Sequence, residues 1–299
     1  MKILVSGASG LVGTCLQSYL KTCGHQLVPL VRQKNKERGD AILWHPEQGY
    51  VDEASLEDFD AVINLAGENI AGGRWNEQRK NRILSSRLNS VQTLVKAFSK
   101  LRNPPKTFIS ASAVGVYGNQ KDRWCTEETP PGQGFLVDVC RQWEAAAGQA
   151  QELGIRTIAM RFGVVLSTKG GALRKMLPLF KLGLGGRLGP GEQYMSWIDI
   201  DDLVAIVLFA LTNKSLSGPV NVVAPHPVTN AVFTKALGNV LGRPTFLAVP
   251  ACMLKLALGR QMAEELLLCS TRVEPMRLVQ AGYSFSYPCL SESLKHLLK

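Results

Sequence analysis

The sequence predicts an α/β fold built on a doubly wound parallel sheet with a smaller C-terminal lobe, and three observations carry that prediction. Short apolar runs alternate with amphipathic stretches of helical period through the first 160 or so residues, the pattern of successive βαβ units. A glycine-rich turn, Gly7-x-x-Gly10-x-x-Gly13, joins the first apolar run to the first helical stretch. With 299 residues, 45% hydrophobic and 19% charged, the chain suits one large globular domain or two linked ones.

The first strand is predicted over Lys2–Ser6, where Ile3-Leu4-Val5 meets the glycine turn. A helix follows over about Val12–Thr22 and stops at Gly24, since glycine readily takes the left-handed conformation that ends a helix. Gln26–Val31 is a second strand, Ala41–Trp44 a weaker third, and Ala61–Leu65 a fourth that runs into Ala66 and Gly67. A long polar helix is predicted over Asn76–Leu101, closed by Pro104-Pro105. Thr107–Ser110 is a fifth strand and Arg156–Arg161 a sixth. Between them lies a helix over Asp138–Leu153, with Asp138 as its cap. Beyond Gly163 the texture changes. Leu182–Gly191 is so rich in glycine that it reads as a flexible loop. Helices are predicted over Asp202–Leu211, Thr229–Leu241 and Pro250–Leu268 (interrupted at Gly259), with a strand at Val220–Val223. Residues 1–163 thus read as the nucleotide-binding part, residues 164–299 as a smaller substrate lobe, and residues 196–225 as returning to the first part.

Composition excludes several classes. The longest apolar helical stretch, Leu203–Leu211, is far short of the ~20 residues that span a bilayer. Seven cysteines occur without a C-x-x-C pair, and four dispersed histidines show no metal-ligand spacing. A reducing, cytoplasmic setting and no metal are expected. The net charge of +10 favours anionic ligands. Nucleic-acid binding is not expected, because charge is all that supports it and the basic clusters at residues 32–38 and 74–87 lie beside the predicted ligand crevice.

A strand, glycine turn and helix in this order form a phosphate site. Gly7 permits the tight turn, Gly10 the approach of a pyrophosphate, and Gly13 close packing of the helix, whose N-terminal N–H groups face the phosphates. This is a Rossmann-type dinucleotide loop. At the end of the second strand an NAD site normally carries an acid. Here Val31-Arg32-Gln33-Lys34 has none, and Arg32, assisted by Lys34, suits the extra phosphate of NADP (NADPH).

The turn, Asn64-Leu-Ala-Gly67, Ser110-Ala-Ser112, Val116-Tyr117-Gly118, Arg161-Phe-Gly163, Trp197-Ile-Asp199-Ile-Asp201-Asp202-Leu203 and Asn221-Val-Val-Ala-Pro225 occur in that order. Together they resemble the extended short-chain dehydrogenase/reductase superfamily, in its nucleotide-sugar epimerase/dehydratase group. Gly67-Glu68-Asn69-Ile70, Arg74-Trp75-Asn76, Trp143-Glu144-Ala145-Ala146 and the segment from Gly259-Arg260-Gln261 to Tyr283 narrow this to atypical epimerase-family proteins with a C-terminal domain of unknown function.

The resemblance implies that Gly7, Ser9, Gly10, Leu11 and Val12 line the pyrophosphate, with Arg32 at the ribose phosphate. Leu65, Ala66 and Gly67 would flank the ribose and the nicotinamide linkage. Arg82 and Arg87 would face the cofactor from the long helix, and Arg161, Phe162 and Gly163 would pass near the nicotinamide. Ser112 matches the substrate-orienting hydroxyl, with Ser110 the second choice. The superfamily's proton-transfer pair, Tyr-x-x-x-Lys, is missing. If Glu144 marks the acid that follows it, Leu136 and Cys140 occupy its two positions. Tyr117 and Cys140 are candidate replacements, each with a structural alternative, and Tyr194, Met195 and Trp197 are candidates for the cleft wall. Asp199, Asp201 and Asp202 read as a helix entrance.

Two functions follow. One is an NADP-dependent oxidoreductase or epimerase-like enzyme on a small or sugar-like substrate. The other is a non-catalytic NADP(H)-binding redox sensor or scaffold. The resemblance also implies a homodimer paired through the two long helices.

Overall fold

Seven parallel strands cross the middle of the molecule and an eighth closes one edge antiparallel, so the apolar runs found in the sequence lie side by side. The computed structural model describes residues 1–33 and 40–299. In chain order the first part comprises β1 (Lys2–Ser6), α1 (Leu11–Thr22), β2 (Gln26–Val31), β3 (Ile42–His45), β4 (Tyr50–Val51) and β5 (Ala61–Asn64). It continues through α2 (Glu77–Phe98), β6 (Thr107–Ala113), β7 (Trp124–Cys125), α3 (Phe135–Gly148) and β8 (Arg156–Phe162). Next come β9 (Val164–Leu166), α4 (Gly171–Lys181), β10 (Gly186–Leu188), β11 (Tyr194–Met195), β12 (Trp197–Asp199), α5 (Ile200–Thr212) and β13 (Gly218–Val222). The chain finishes with β14 (Val228–Thr229), α6 (Asn230–Leu241), β15 (Leu247–Val249), α7 (Ala251–Leu258), α8 (Arg260–Leu266), β16 (Arg272–Val273), α9 (Met276–Gln280) and α10 (Leu290–Leu298).

The sheet order is β13-β8-β6-β5-β1-β2-β3-β4. Burial on both faces explains why the inner strands read as unbroken apolar runs: four of five residues of β1 and all four of β5 are buried. One core packs α1 and α5 on one face, through Leu16, Leu20, Leu203 and Val207. Another packs α2 and α3 on the opposite face, through Val91, Leu94, Trp143 and Ala147. This is the Rossmann-type doubly wound architecture expected from the sequence. The chain winds outward from β1 through β2 and β3, then returns through β5 to wind the other way. The order therefore reverses between β1 and β5, where the carboxyl ends of neighbouring strands leave a crevice.

Three departures from the sequence reading lie at β10 and around α3. Gly186–Leu188, expected within a loop, is β10, which pairs in parallel with β15 and leaves Leu182–Gly185 as the turn. Helix α3 starts at Phe135, three residues before Asp138, which sits in its first turn and pairs with Arg141 instead of capping. The cap comes from far away: the Glu265 carboxylate of α8 accepts the N–H groups of Phe135 (3.1 Å) and Leu136 (2.8 Å). Leu153, expected at the end of that helix, closes a separate 3-10 turn over Gln149–Leu153. Strand β13 joins the main sheet beside β8, while α4, α6 and α10 build a third core around Leu173, Phe233 and Leu294. Among the described residues no helix is long and apolar enough to cross a membrane.

Candidate cofactor crevice and its buried polar network

Gly7 ends β1 with φ +67°, and a Cβ there would lie 2.6 Å from the Leu65 carbonyl at the end of β5. The two strand ends are thus in backbone contact at the switch point. Gly13 lies in α1, and its missing Cβ would fall 2.3 Å from Gly7 O, so this glycine seats the helix on the turn itself. Gly10 is different. Its φ is −74°, and a Cβ would meet only Gly7 O, at 3.3 Å. The demand for glycine is weaker there than at Gly7 or Gly13, since Gly7 O would have to give by only a few tenths of an ångström, and the N-terminus of α1 beside it has neither a side-chain cap nor an acid in its first turn. Uncapped N–H groups with an unobstructed approach suit a pyrophosphate. Ser9 and Gly10 are exposed, and Leu11 and Val12 open the helix.

Across the crevice, Leu65, Ala66 and Gly67 leave β5, and a Cβ on Gly67 would touch the Arg87 guanidinium at 3.2 Å. Arg87 lies over the Trp143 ring at 5.1 Å and donates to Ile83 O (2.8 Å) and Glu68 O (3.2 Å). It forms no ion pair among the described residues. Burial lowers its pKa, the mark of a cation held where charge is costly. Arg82 does not join it. Five residues apart on a helix means about 140° of rotation, which puts Arg82 on the exposed face of α2. Arg32 is exposed at the end of β2, and Lys34 lies outside the described residues.

Ser112, Arg161 and Asn221 occupy one row across β6, β8 and β13. Arg161 grips Glu144 of α3 in a two-pronged pair, Nε to Oε1 and Nη2 to Oε2, each at 2.8 Å. Its Nη1 donates to the Tyr117 hydroxyl (2.8 Å), which donates to Asn221 Oδ1 (2.7 Å). Ser112 Oγ donates to Glu144 Oε1 at 2.6 Å. Burial alone would lower the Arg161 pKa, but the Glu144 carboxylate and its hydrogen bonds raise it. Tyr117 is fully buried, and burial outweighs Arg161 to push its pKa up to about 12. The structure makes this tyrosine a strut of the network, with both sides of its hydroxyl engaged. Cys140 is buried too, and burial, with the Glu144 charge, pushes its thiol up to about 11, so at neutral pH it is a thiol and no ready proton acceptor. Phe162 packs on both main cores, and Gly163 fits against Ser196 O, which a Cβ would approach to 2.6 Å. Ser110 is buried, and its hydroxyl donates to Ala111 O at 3.3 Å.

Glu127 completes the network. Its Oε1 accepts the Asn221 and Arg277 N–H groups, while Oε2 is buried with no partner among the described residues. Burial raises its pKa against those hydrogen bonds. A carboxyl whose folded pKa is raised stabilises the fold fully below its unfolded pKa and loses that contribution as pH rises through the folded value. Glu127→Gln should therefore melt near wild type at about pH 4 and progressively above it toward pH 8. A constant melting difference across that range would remove Glu127 from the titrating groups.

The acids of the Trp197–Leu203 segment anchor the C-terminus. Asp199 caps α5 and accepts the Ser293 hydroxyl at 2.6 Å. Asp202, fully buried, receives Tyr283 Oη and the N–H groups of Ser286 and Tyr287. Asp201 pairs with His296 at 2.8 Å. Trp197, a candidate for the cleft wall, instead fills the third core with its ring fully buried. Tyr194 and Met195 are half-buried, Tyr194 against the Arg272 guanidinium at 4.6 Å. Glu127 and Glu265 carry no sequence signal of their own, and Glu144 and Asn221 enter the sequence analysis only as motif residues.

Residues 3–223 match the NAD dependent epimerase/dehydratase family. The chain belongs to that family. Residues 249–297 of this epimerase-family protein match a domain of unknown function, DUF1731. It is 43% identical over 292 residues to the epimerase family protein Mb2239 of Mycobacterium bovis, covering 98% of this chain and 96% of that one. Its fold superposes on the crystal structure of human epimerase family protein SDR39U1 (isoform 2) with NADPH, with a TM-score of 0.90, 36% identity and 99% of each chain covered. It is also similar to the nucleoside-diphosphate sugar epimerase of Corynebacterium glutamicum, with a TM-score of 0.81 and 35% identity, over 100% of this chain but 58% of that one.

Proposed function

We propose that this epimerase-family protein binds NADP(H) in the crevice between β1 and β5 and acts as an oxidoreductase or epimerase-like enzyme on a small or sugar-like carbonyl or alcohol. The observation that carries the cofactor reading is the pairing of an uncapped α1 N-terminus with the half-buried Arg87, which has no ion-pair partner among the described residues, across the same crevice. Both are electropositive groups without an anionic partner among the described residues, and a dinucleotide supplies one. The likeness to an SDR39U1 structure holding NADPH supports the same choice. Arg32, with no acid beside it at the end of β2, favours the 2′-phosphate.

When bound, the nicotinamide would supply or accept the hydride. The chain's part is to orient the substrate oxygen and move its proton. Ser112 Oγ donates its hydrogen bond to Glu144 Oε1, which leaves the oxygen itself able to accept one. A substrate hydroxyl would donate to Ser112 Oγ. On oxidation its proton would pass to that oxygen as the serine proton moves to Glu144, and reduction would reverse both transfers. Ser112 is only 2% exposed, so the exchange would run where bulk water does not compete. Ser112→Ala should lose about a hundredfold in turnover while keeping its NADPH affinity. Full turnover in that variant would remove the serine from the reaction.

The non-catalytic NADP(H) sensor keeps one observation in its favour, the apolar Leu136 and high-pKa Cys140 where the superfamily carries its proton-transfer pair. Stereospecific hydride exchange with any carbonyl compound eliminates it. The deciding experiment for the cofactor is a parallel titration with NADPH and NADH. NADPH should bind at least about tenfold more tightly, and Arg32→Ala should erase the difference. Equal affinities in the wild type would take Arg32 out of the site.

A further inference from the structure

The C-terminal lobe carries a second electropositive recess that shares no residue with the cofactor crevice. A groove of about 480 Å³ lies between α6, β10 and the segment following α6. Its lining includes Arg187, Lys235, Asn239, Arg243, Thr245 and Phe246, and no acidic residue. Arg187, Lys235 and Arg243 form no ion pair among the described residues. What sets the recess apart is that three cations converge on one groove whose lining carries no carboxylate to offset them.

The placement is set by the fold. Ala231, Lys235 and Asn239 follow one another at four-residue steps, so they form one ridge of α6. The left-handed Gly242 then ends the helix and delivers Arg243 just beyond it. Arg187 comes in from β10, with Gly191 beside its stem: a Cβ on that glycine would lie 3.3 Å from Arg187 Cδ and 3.1 Å from Ala231 Cβ. The cations are therefore spread along the groove, which suits a ligand with more than one negative oxygen. Phe246 stands at the same groove with 82% of its surface exposed, a flat apolar face with nothing packed on it.

We propose that this groove is a binding site for a nucleoside phosphate. The phosphates would be taken by Arg187, Lys235 and Arg243 through charge-assisted hydrogen bonds, with Asn239 and Thr245 as neutral partners. The base would stack on Phe246. The volume lies within the range of small-molecule sites. Because Arg187 belongs to β10, a ligand here would brace the strand that holds β15 in place.

The test is calorimetric titration of the full chain with ADP in low salt, with and without NADPH. ADP should bind at one site per chain that NADPH does not occupy. The double variant Arg187→Ala/Arg243→Ala should weaken that site by at least about tenfold, and Phe246→Ala should weaken it several-fold. Both variants lie on the exposed surface and should keep the wild-type melting temperature and NADPH affinity. Absence of ADP binding at millimolar concentration, or ADP binding unchanged in the double variant, would overturn the proposal. Pyrophosphate binding as tightly as ADP and indifferent to Phe246→Ala would overturn the nucleoside assignment. Since the groove and the crevice share no residue, loss of the NADPH reading would leave this result standing, and the reverse.

Discussion

Gly7→Ala should both unfold the chain more easily and abolish dinucleotide binding, whereas Gly10→Ala should do only the second. At Gly7 a methyl group would require a left-handed backbone in an L-residue and would sit 2.6 Å from the Leu65 carbonyl carbon and oxygen. Left-handed strain of about 1–2 kcal/mol and overpacking of about 1–3 kcal/mol together give a loss of roughly 2–5 kcal/mol, or on the order of 10 °C in melting temperature. The neighbour is backbone at the end of an inner strand, so it has little freedom to give way. At Gly10 the φ of −74° is ordinary and the nearest atom is 3.3 Å from the new methyl, so the fold should hold to within about 1 kcal/mol. The methyl would nonetheless stand in front of the α1 N–H groups. Thermal melting read beside an NADPH titration separates the two. If Gly10→Ala binds NADPH like the wild type, the uncapped helix end is not where the pyrophosphate lies.

That contrast also shows what kind of information the sequence carries. The turn was legible because its demands are local: a short apolar strand, a left-handed glycine and a helix within thirteen residues. β1 and β2 have the limits that the sequence predicts for the same reason, since inner parallel strands read as short apolar runs, here Ile3-Leu4-Val5 and Leu27–Val31, flanked by breakers. β10 was invisible because glycine removes the side chains from which periodicity is read, and its partner β15 is sixty residues away. The start of α3 was missed because no nearby residue caps it, the cap being Glu265 from another helix. Arg87 and Arg82 could have been separated by helical geometry alone, since the apolar Ile83 and Arg87 are one turn apart and Arg82 is not on that face. Within the polar network the signal was present but unread. Cys140 and Glu144 lie one turn apart on the inward face of α3, and an acid on that apolar stripe asks for a buried cation. Arg161 is that cation, and its commitment to Glu144 appears only once α3 is laid against β8.

Removing either side of that pair should be the most damaging polar substitution in the chain. Arg161 and Glu144 keep only 7% and 17% of their side-chain surface, and four oriented hydrogen bonds converge on them from Ser112, Tyr117 and each other. Glu144→Gln leaves the guanidinium without its counter-charge. Arg161→Met leaves the carboxylate with the Ser112 hydroxyl and strips Tyr117 of its donor. Each single variant should lose about 3–5 kcal/mol, the usual cost of orphaning one partner of a buried pair. The double variant Glu144→Leu/Arg161→Met should be far less destabilised than the sum of Glu144→Leu and Arg161→Met, because no charge remains buried without compensation. Urea unfolding of the four species in that cycle gives the coupling directly, and an interaction of roughly 2 kcal/mol or more is expected. Additive losses would show that water reaches the pair and that the network contributes little to stability. The same variants connect stability with chemistry. If Glu144 serves Ser112 in proton transfer, Glu144→Gln keeps an acceptor oxygen for the serine yet cannot take its proton, so turnover should fall well beyond what the lost stability explains at temperatures where the variant is fully folded. If the network is only a brace, turnover per folded molecule should match the wild type.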